Sequence, residues 1–354
     1  MAQEQYKDLP TEAGKKRNGG KRGCLILVIV LLSVLLAAVI AGAAGVNYFL
    51  SRLNRIEDPI PSGETLPQMT DEFDTEPQEG METLETMEPT DISFETVDLL
   101  EGEVINIMLI GQDRRPGEDR SRSDSMILVT LNPQKKAIQL TSFMRDLYVQ
   151  IPGYLDNRLN VAYRYGDVKL MNETFKVNFG LEIDGNVVVD FDEFTKIISV
   201  LGGVTLEMSS EEAKYMNKHS DNTFAEGENY LNADDALTFT RMRYAAGGDY
   251  GRTERQRRVL TALAESVRGA DVWTMLELFD QILPHISTNL DDTQILRCIT
   301  TGAAILGQGG EIQTLRIPQN DAHSQASIRG MSVLVPNLKK CREDLQEFIY
   351  DTEE

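Results

Sequence analysis

The spacing of apolar positions changes three times along the chain, and each change marks a boundary. Residues 1–22 are polar. Residues 23–51 contain no charge, and 25–46 is an almost unbroken run of Leu, Val, Ile, Ala and Gly. Across 52–103 the apolar positions thin out. From Val104 onward, short apolar runs alternate with stretches whose apolar residues recur every three or four positions, the mark of mixed strands and helices. Residues 104–111, 125–131 and 137–151 read as strands, the last two joined by the turn Asn132-Pro133. A helix is expected over 159–178, a strand over 186–190, a helix capped by Asp192 and ended by Gly202-Gly203, and a strand over 204–208. Asn232 starts a short helix ending near Arg241. Helices near 253–268, 271–283 and 291–306, a strand over 312–317 and a helix near 334–350 complete the pattern. The fold class this implies is α/β: a layered α/β/α domain whose central sheet is mixed, because the first strands read as hairpin-joined.

The segments before this domain have their own physics. About 20 apolar residues at 1.5 Å each cross a bilayer core, so 23–51 is expected to be one transmembrane helix. Lys15, Lys16, Arg17, Lys21 and Arg22 precede it. They keep residues 1–22 as a cytoplasmic tail and place the rest outside, a single-pass type II arrangement in the cell membrane. Ala41-Gly42-Ala43 would suit signal cleavage, but the apolar run exceeds the roughly 7–15 residues of a signal core, which favours an uncleaved signal-anchor. Apart from Arg52 and Arg55, residues 52–103 carry no basic side chain, while Glu, Asp, Thr and Pro recur. Such a segment cannot bury enough surface to offset chain entropy and is expected to be an acidic disordered linker. Much of the formal net charge of −21 lies in it, so the acidity describes the linker more than the domain at 104–354.

Three groups of residues carry candidate chemistry. The stretch 241–256 (RMRYAAGGDYGRTERQ) holds Arg241, Arg243, Arg252 and Arg255, opposed only by Asp249 and Glu254. Arginine's planar fork matches phosphate oxygens. Thr253 to Gln256 has the spacing of a capping box opening a helix, which would set Arg252 beside free N–H groups. The two readings are an anion site and a solvated helix face. Asp113 and Asp124 flank the expected first hairpin together with Arg122; two carboxylates beside arginines suit magnesium on a phosphate, although Asp at a strand end also serves turns. Arg145-Asp146 interrupts the third apolar run, either as an internal ion pair or facing a ligand. Cys24 lies at the membrane boundary and Cys298 and Cys341 on expected helices, so no disulfide framework is present. His219, His285 and His323 show no metal or triad spacing, which argues against a serine or cysteine nucleophile with a histidine base.

The ordered motifs GQDRR, RSDS, MRDLYVQIPG, RLNVAYRYG, VVDFDEFTKIISVLGGV, LNADDALTFTRMRY and GDYGRTERQRRV resemble the LytR–CpsA–Psr (LCP) family of bacterial cell-envelope proteins. The likeness is close over 104–259. Two positions depart from the family pattern: Met144 where a proline is usual, and Gln112 where a small hydroxyl residue is usual. The resemblance implies a phosphotransferase that moves a glycopolymer (teichoic acid, capsule or similar), with one phosphate, from a polyprenyl diphosphate carrier to peptidoglycan. It implies Mg2+ held by Asp113 and Asp124, and diphosphate oxygens bound by Arg122, Arg145, Arg241, Arg243, Arg252 and Gln256. Arg122, Arg145, Arg243 and Asp249 would form the catalytic set, with Asp249 orienting the arginines or helping to activate the acceptor hydroxyl. Such chemistry relies on positioning and charge neutralisation. A polyprenyl diphosphate hydrolase and a non-catalytic envelope regulator are the alternatives. Nucleic acid is not an expected partner, since no recognition helix with a basic stripe is present. Phe191, Phe194, Ile197, Ile198 and Leu201 would suit either a lipid cavity or plain core.

Overall fold

The computed structural model describes residues 48, 50–56, 84–100, 102–112, 123–243, 247–266, 277–278 and 280–351. In chain order these form β1 (Asn54–Arg55), β2 (Glu85–Thr86), β3 (Ile105–Gln112), β4 (Ser123–Asn132), β5 (Ala137–Phe143), β6 (Tyr148–Val149) and β7 (Asn157–Arg158). Then come α1 (Leu159–Phe179), β8 (Gly185–Asp190), α2 (Phe191–Val200), β9 (Val204–Met208), α3 (Ser210–His219), β10 (Gly227–Leu231) and α4 (Ala233–Arg241). The chain continues through α5 (Gly248–Ser266), β11 (Ser287–Thr288), α6 (Asp292–Gly307), β12 (Glu311–Ile317), β13 (His323–Ile328), β14 (Met331–Pro336) and α7 (Leu338–Leu345).

Alternation along the central strands fixes the layers. Met108 and Ile110 of β3, with Met126 and Leu128 of β4, face one core together with α1 and α7. Ile105 and Ile107, with Leu131, face the opposite core under Ile295 and Ile305 of α6. A period of two sends successive side chains to opposite faces, so both layers follow directly from the strand sequence. The seven-stranded sheet runs β1-β11-β8-β3-β4-β5-β12. It is mixed, as expected: β3 pairs antiparallel with β4 and parallel with β8, while β12 pairs parallel with β5. The carboxyl ends of β3, β8, β5 and β12 consequently lie along one edge.

Several boundaries differ from the sequence reading. The third strand ends at Phe143, so Arg145-Asp146 lies in the turn beyond it and not within a strand. Phe143 is anchored there against Phe175 and Phe179, at centroid distances of 4.7 and 5.3 Å. Asp190, not Asp192, caps α2, accepting from the Glu193 amide. α5 opens at Gly248 and not at Thr253. Gly247 and Gly248 adopt positive φ (95° and 54°), which lets the chain enter the helix five residues early. Residues 334–336 finish β14, and the last helix starts at Leu338. Of the hairpin β9–β10 the sequence predicts only the first strand, and of β13–β14 neither.

Residues 52–56 and 84–100, assigned to the linker by composition, are ordered against the domain. β1 joins β11 in parallel, and Arg52 pairs with Asp280 at 3.1 Å. β2 extends β13, while Met87, Ile92 and Phe94 pack on the cluster of Tyr148, Ile328 and Val333. These few apolar residues supply the burial that average composition hides. Most of the expected transmembrane helix at 23–51, all of residues 57–83, and most of the helix expected near 271–283 lie outside the described residues. Among the described residues, no helix is long and apolar enough to cross a membrane.

α2 to α5 and the β9–β10 hairpin enclose a second core around Ile198, Phe239, Met242 and Val259. Ile198 is fully buried in it, with Phe194 and Leu201 packed alongside. Its polar keystone is Glu212. One oxygen accepts from the Ser209 amide (2.9 Å), completing a capping box for α3, and the other meets Arg258 at 2.9 Å and Arg255 at 3.5 Å. Burial opposes ionisation of Glu212, but the Ser209 amide and Arg258 outweigh it and hold the carboxyl below its ordinary value of 4.5. Because the folded pKa is depressed, the stabilisation is present above that ordinary value and is lost as pH falls through the folded one. Glu212→Ala leaves buried Arg255 uncompensated and is expected to cost about 3 kcal/mol. Denaturant melts at pH 7 and below pH 4 check this; the gap between variant and wild type should narrow in acid.

Candidate active site

The site forms where β5 and β4 meet the start of α5. Register places Asp124 in it. Gly111 pairs with Ser125 but Gln112 pairs with Ser123, so Asp124 is the extra residue of a β-bulge. Bulges re-aim side chains at strand ends, and here the Asp124 carboxylate accepts from Arg145 Nη1 at 2.7 Å. Arg145 comes from the turn after β5. Its Nε also lies 3.4 Å from Asp146 and 3.5 Å from Asp249. Asp249 sits in the first turn of α5, where the helix dipole favours a carboxylate, and reaches Arg252 at 3.1 Å. Asp146 holds Arg158 at 3.3 Å on its other side.

Among the described residues, the charges in this cluster do not balance. Burial would favour neutral Arg145, but Asp146, Asp249 and Asp124 outweigh it and keep the guanidinium firmly charged. Burial pushes the Asp146 carboxyl up, against Arg145 and Arg158. Asp249 lies within electrostatic reach of Asp146 and disfavours its charged form. Burial opposes ionisation of Asp249 as well, but Arg252 and Arg145 outweigh it and hold this carboxyl below its ordinary value. Arg252 is only 3 % exposed, and its Nε meets no hydrogen-bond acceptor among the described residues. Burial, then repulsion from Arg145, pushes this guanidinium down to about 10, with Asp249 opposing and Arg243 adding. Among the described residues, the carboxylates acting on Arg252 are Asp249 and Asp124, fewer than the three arginines Arg252, Arg145 and Arg243 gathered there.

The expected site residues therefore divide. Asp124, Arg145, Asp249 and Arg252 are in direct contact, and Arg243 lies within electrostatic reach of Asp249 and Arg252. Gln256 is one turn beyond Arg252 on α5. Arg241 lies at the end of α4, its guanidinium 4.7 Å from the centre of the Phe191 ring. Asp113 and Arg122 lie outside the described residues. Thr253 opens no helix: its hydroxyl donates to the Tyr250 carbonyl inside α5. Arg255 turns away from the site to Glu212 and donates to the Met242 carbonyl, fixing the residue just before Arg243. Asp146, expected from the sequence only as an ion-pair partner of Arg145, is that partner at 3.4 Å and also holds Arg158, which stands in a quoted motif but is not singled out by the sequence. The sequence reading missed His323, bonded to Tyr250 across 73 residues, for which no local signal exists.

Replacing Arg252 with Met removes an under-compensated buried charge while Asp249 retains Arg145. Folding stability is expected to hold or to rise by about 1–3 kcal/mol, and affinity for inorganic diphosphate to fall at least tenfold, the worth of one charge-assisted hydrogen bond. Thermal melts and calorimetric titration measure both.

Comparison with known proteins identifies the family and the fold. The family model described as the LytR_cpsA_psr family matches residues 71–347. The polyisoprenyl-teichoic acid–peptidoglycan teichoic acid transferase TagU of Bacillus cereus is 34% identical over 206 residues, 57% of this chain and 65% of TagU. The regulatory protein MsrR of Staphylococcus aureus is 30% identical over 226 residues, 63% of this chain and 67% of MsrR. Among solved structures, Bacillus subtilis TagV shares the fold with a TM-score of 0.56 at 28% identity, over 72% of this chain and 100% of TagV. TagT with bound octaprenyl pyrophosphate lipid also shares the fold, with a TM-score of 0.54 at 20% identity over 72% of this chain and 99% of TagT. With its motifs in order, its mixed sheet matched and the family model spanning 71–347, the chain belongs to the LytR–CpsA–Psr family.

Proposed function

We propose that this protein transfers a glycopolymer, with one phosphate, from a polyprenyl diphosphate carrier to a hydroxyl of peptidoglycan. The observation that carries the reading is the cationic excess at Arg252, Arg145 and Arg243, formed at the carboxyl edge of the sheet. Phosphoryl transfer asks the protein for little covalent chemistry. It needs charge aimed at the equatorial and leaving oxygens and a fixed direction of attack. Membership of the family, and the transferase name borne by the TagU relative, support the same reaction.

In this mechanism Arg145, Arg243 and Arg252 bind the diphosphate oxygens, joined by Arg122, Arg241 and Gln256. Asp249 holds Arg145 and Arg252 in register. Asp124, with its hard oxygen donors beside Arg145, fits a magnesium ion that Asp113 would share. Bound there, magnesium would neutralise part of the diphosphate charge. Residues 23–51 anchor the enzyme in the cell membrane with the domain outside. Just past the anchor, Arg52 pairs with Asp280 of the domain. The name of MsrR favours a second reading, an envelope regulator that senses the same lipid. A buried cation left short of negative charge destabilises a fold, and catalysis accounts for that cost more directly than sensing does.

The test is transfer by the full-length protein in vesicles, with a lipid-linked polymer donor, peptidoglycan fragments and magnesium. Wild type is expected to form the polymer–peptidoglycan product and release polyprenyl phosphate. Arg243→Ala and Asp113→Ala are expected to lower turnover at least 10²-fold. Water-only cleavage of the donor would point to the hydrolase; lipid binding without turnover would point to the regulator.

A further inference from the structure

The transferase reading leaves the proton of the incoming hydroxyl without a destination. Asp249 is poorly suited to take it. Its oxygens are engaged by Arg252 and Arg145, which hold it as a weak base. Asp146 is occupied between Arg145 and Arg158. An efficient general base instead sits near the working pH and is oriented by a third group.

A hydroxyl bonded to an imidazole that a third group orients occurs one residue beyond Asp249. The Tyr250 hydroxyl is hydrogen-bonded to His323 Nε2, and His323 Nδ1 lies 2.9 Å from the Gln319 carbonyl. A carbonyl can only accept, so Nδ1 carries the hydrogen. Nε2 is thereby left as the acceptor for the Tyr250 O–H. The direction of both bonds is fixed: tyrosine to imidazole, imidazole to backbone. Tyr250 leaves its oxygen lone pairs available to a second hydroxyl. Arg316, at the end of β12, has its guanidinium 4.4 Å from the centre of the Tyr250 ring and is itself held by Asn320 at 2.6 Å and by the Pro318 carbonyl. That cation favours negative charge building on the phenol oxygen. Burial, with Asp249 adding, keeps the resting phenol neutral and able to donate.

We propose that Tyr250 and His323 form the proton-accepting pair for the acceptor hydroxyl; the inference rests on the transferase reading above. The acceptor O–H gives its proton to Tyr250 Oη as the phenol's own proton passes to His323 Nε2. The acceptor oxygen forms its bond to phosphorus, and the bond from phosphorus to the bridging oxygen breaks. Polyprenyl phosphate leaves with that electron pair, and the half-exposed imidazolium returns its proton to water.

The experiment uses full-length protein in vesicles and measures donor affinity, kcat with saturating donor and acceptor, and thermal stability. Tyr250→Phe, His323→Ala and His323→Gln are compared with wild type. The glutamine variant still offers an oxygen to the Tyr250 hydroxyl, so it keeps the contact and removes the base. The expected result is a loss in kcat of about 10²-fold in all three, the usual worth of a general base. Donor affinity should stay within twofold, and added imidazole should restore His323→Ala at least tenfold while leaving Tyr250→Phe unrestored. Full turnover in His323→Gln, or a loss in His323→Ala that imidazole does not relieve, overturns the pair and assigns it to holding β13 against α5. Wild type that neither transfers polymer nor cleaves donor counts instead against the transferase reading.

Discussion

The pairing of Asp249 with two arginines is the contact on which the site depends. Asp249 reaches back to Arg145 beyond β5 and forward to Arg252 in its own helix, so one carboxylate ties the sheet edge to α5. It does so without neutralising what surrounds it. Arg145, Arg158, Arg243 and Arg252 share Asp124, Asp146 and Asp249, and burial drives Asp146 toward its protonated form. The result is a preorganised positive field that costs folding energy until an anion arrives. Preorganised charge of this kind is what stabilises a transition state rich in oxygen charge.

Much of the remaining fold can be understood as support for that arrangement. The bulge at Asp124 turns a strand residue toward Arg145. The ring contacts of Phe143 with α1 fix the end of β5, from which the Arg145 turn departs. On the far side of α5, Arg255 and Arg258 converge on Glu212, and Arg255 also binds the Met242 carbonyl. The helix is thus held by one set of arginines on a structural face while another set is presented to the site. A single sequence cluster of like charges serves two purposes because Asp249, Arg252 and Gln256 follow one stripe of the helix at three- and four-residue spacing while Arg255 and Arg258 follow the adjacent stripe.

How much of this could be read in the sequence varies with the range of the interaction. Strand alternation, the helix periods and the Asn232 cap were legible because they depend on neighbours within a few residues. The bulge was not, because register is a property of two strands together. The start of α5 was misplaced since Thr253 to Gln256 satisfies a capping pattern, while the backbone freedom of Gly247 and Gly248 moves the true start upstream. Residues 84–100 were lost among acidic neighbours, although Met87, Ile92 and Phe94 are enough to seat them. Of the site, the arginines and aspartates were visible through family motifs; their division between α5's two faces was not. The Tyr250–His323 bond joins positions 73 apart and left no pattern to find.

The most direct test of the central claim is a calorimetric titration of the protein with a short-chain prenyl diphosphate across a range of salt concentrations. An under-neutralised cationic site predicts saturable one-to-one binding that weakens as salt rises and is displaced by inorganic diphosphate. Affinity that is indifferent to salt and to inorganic diphosphate, following only the length of the prenyl chain, would contradict it.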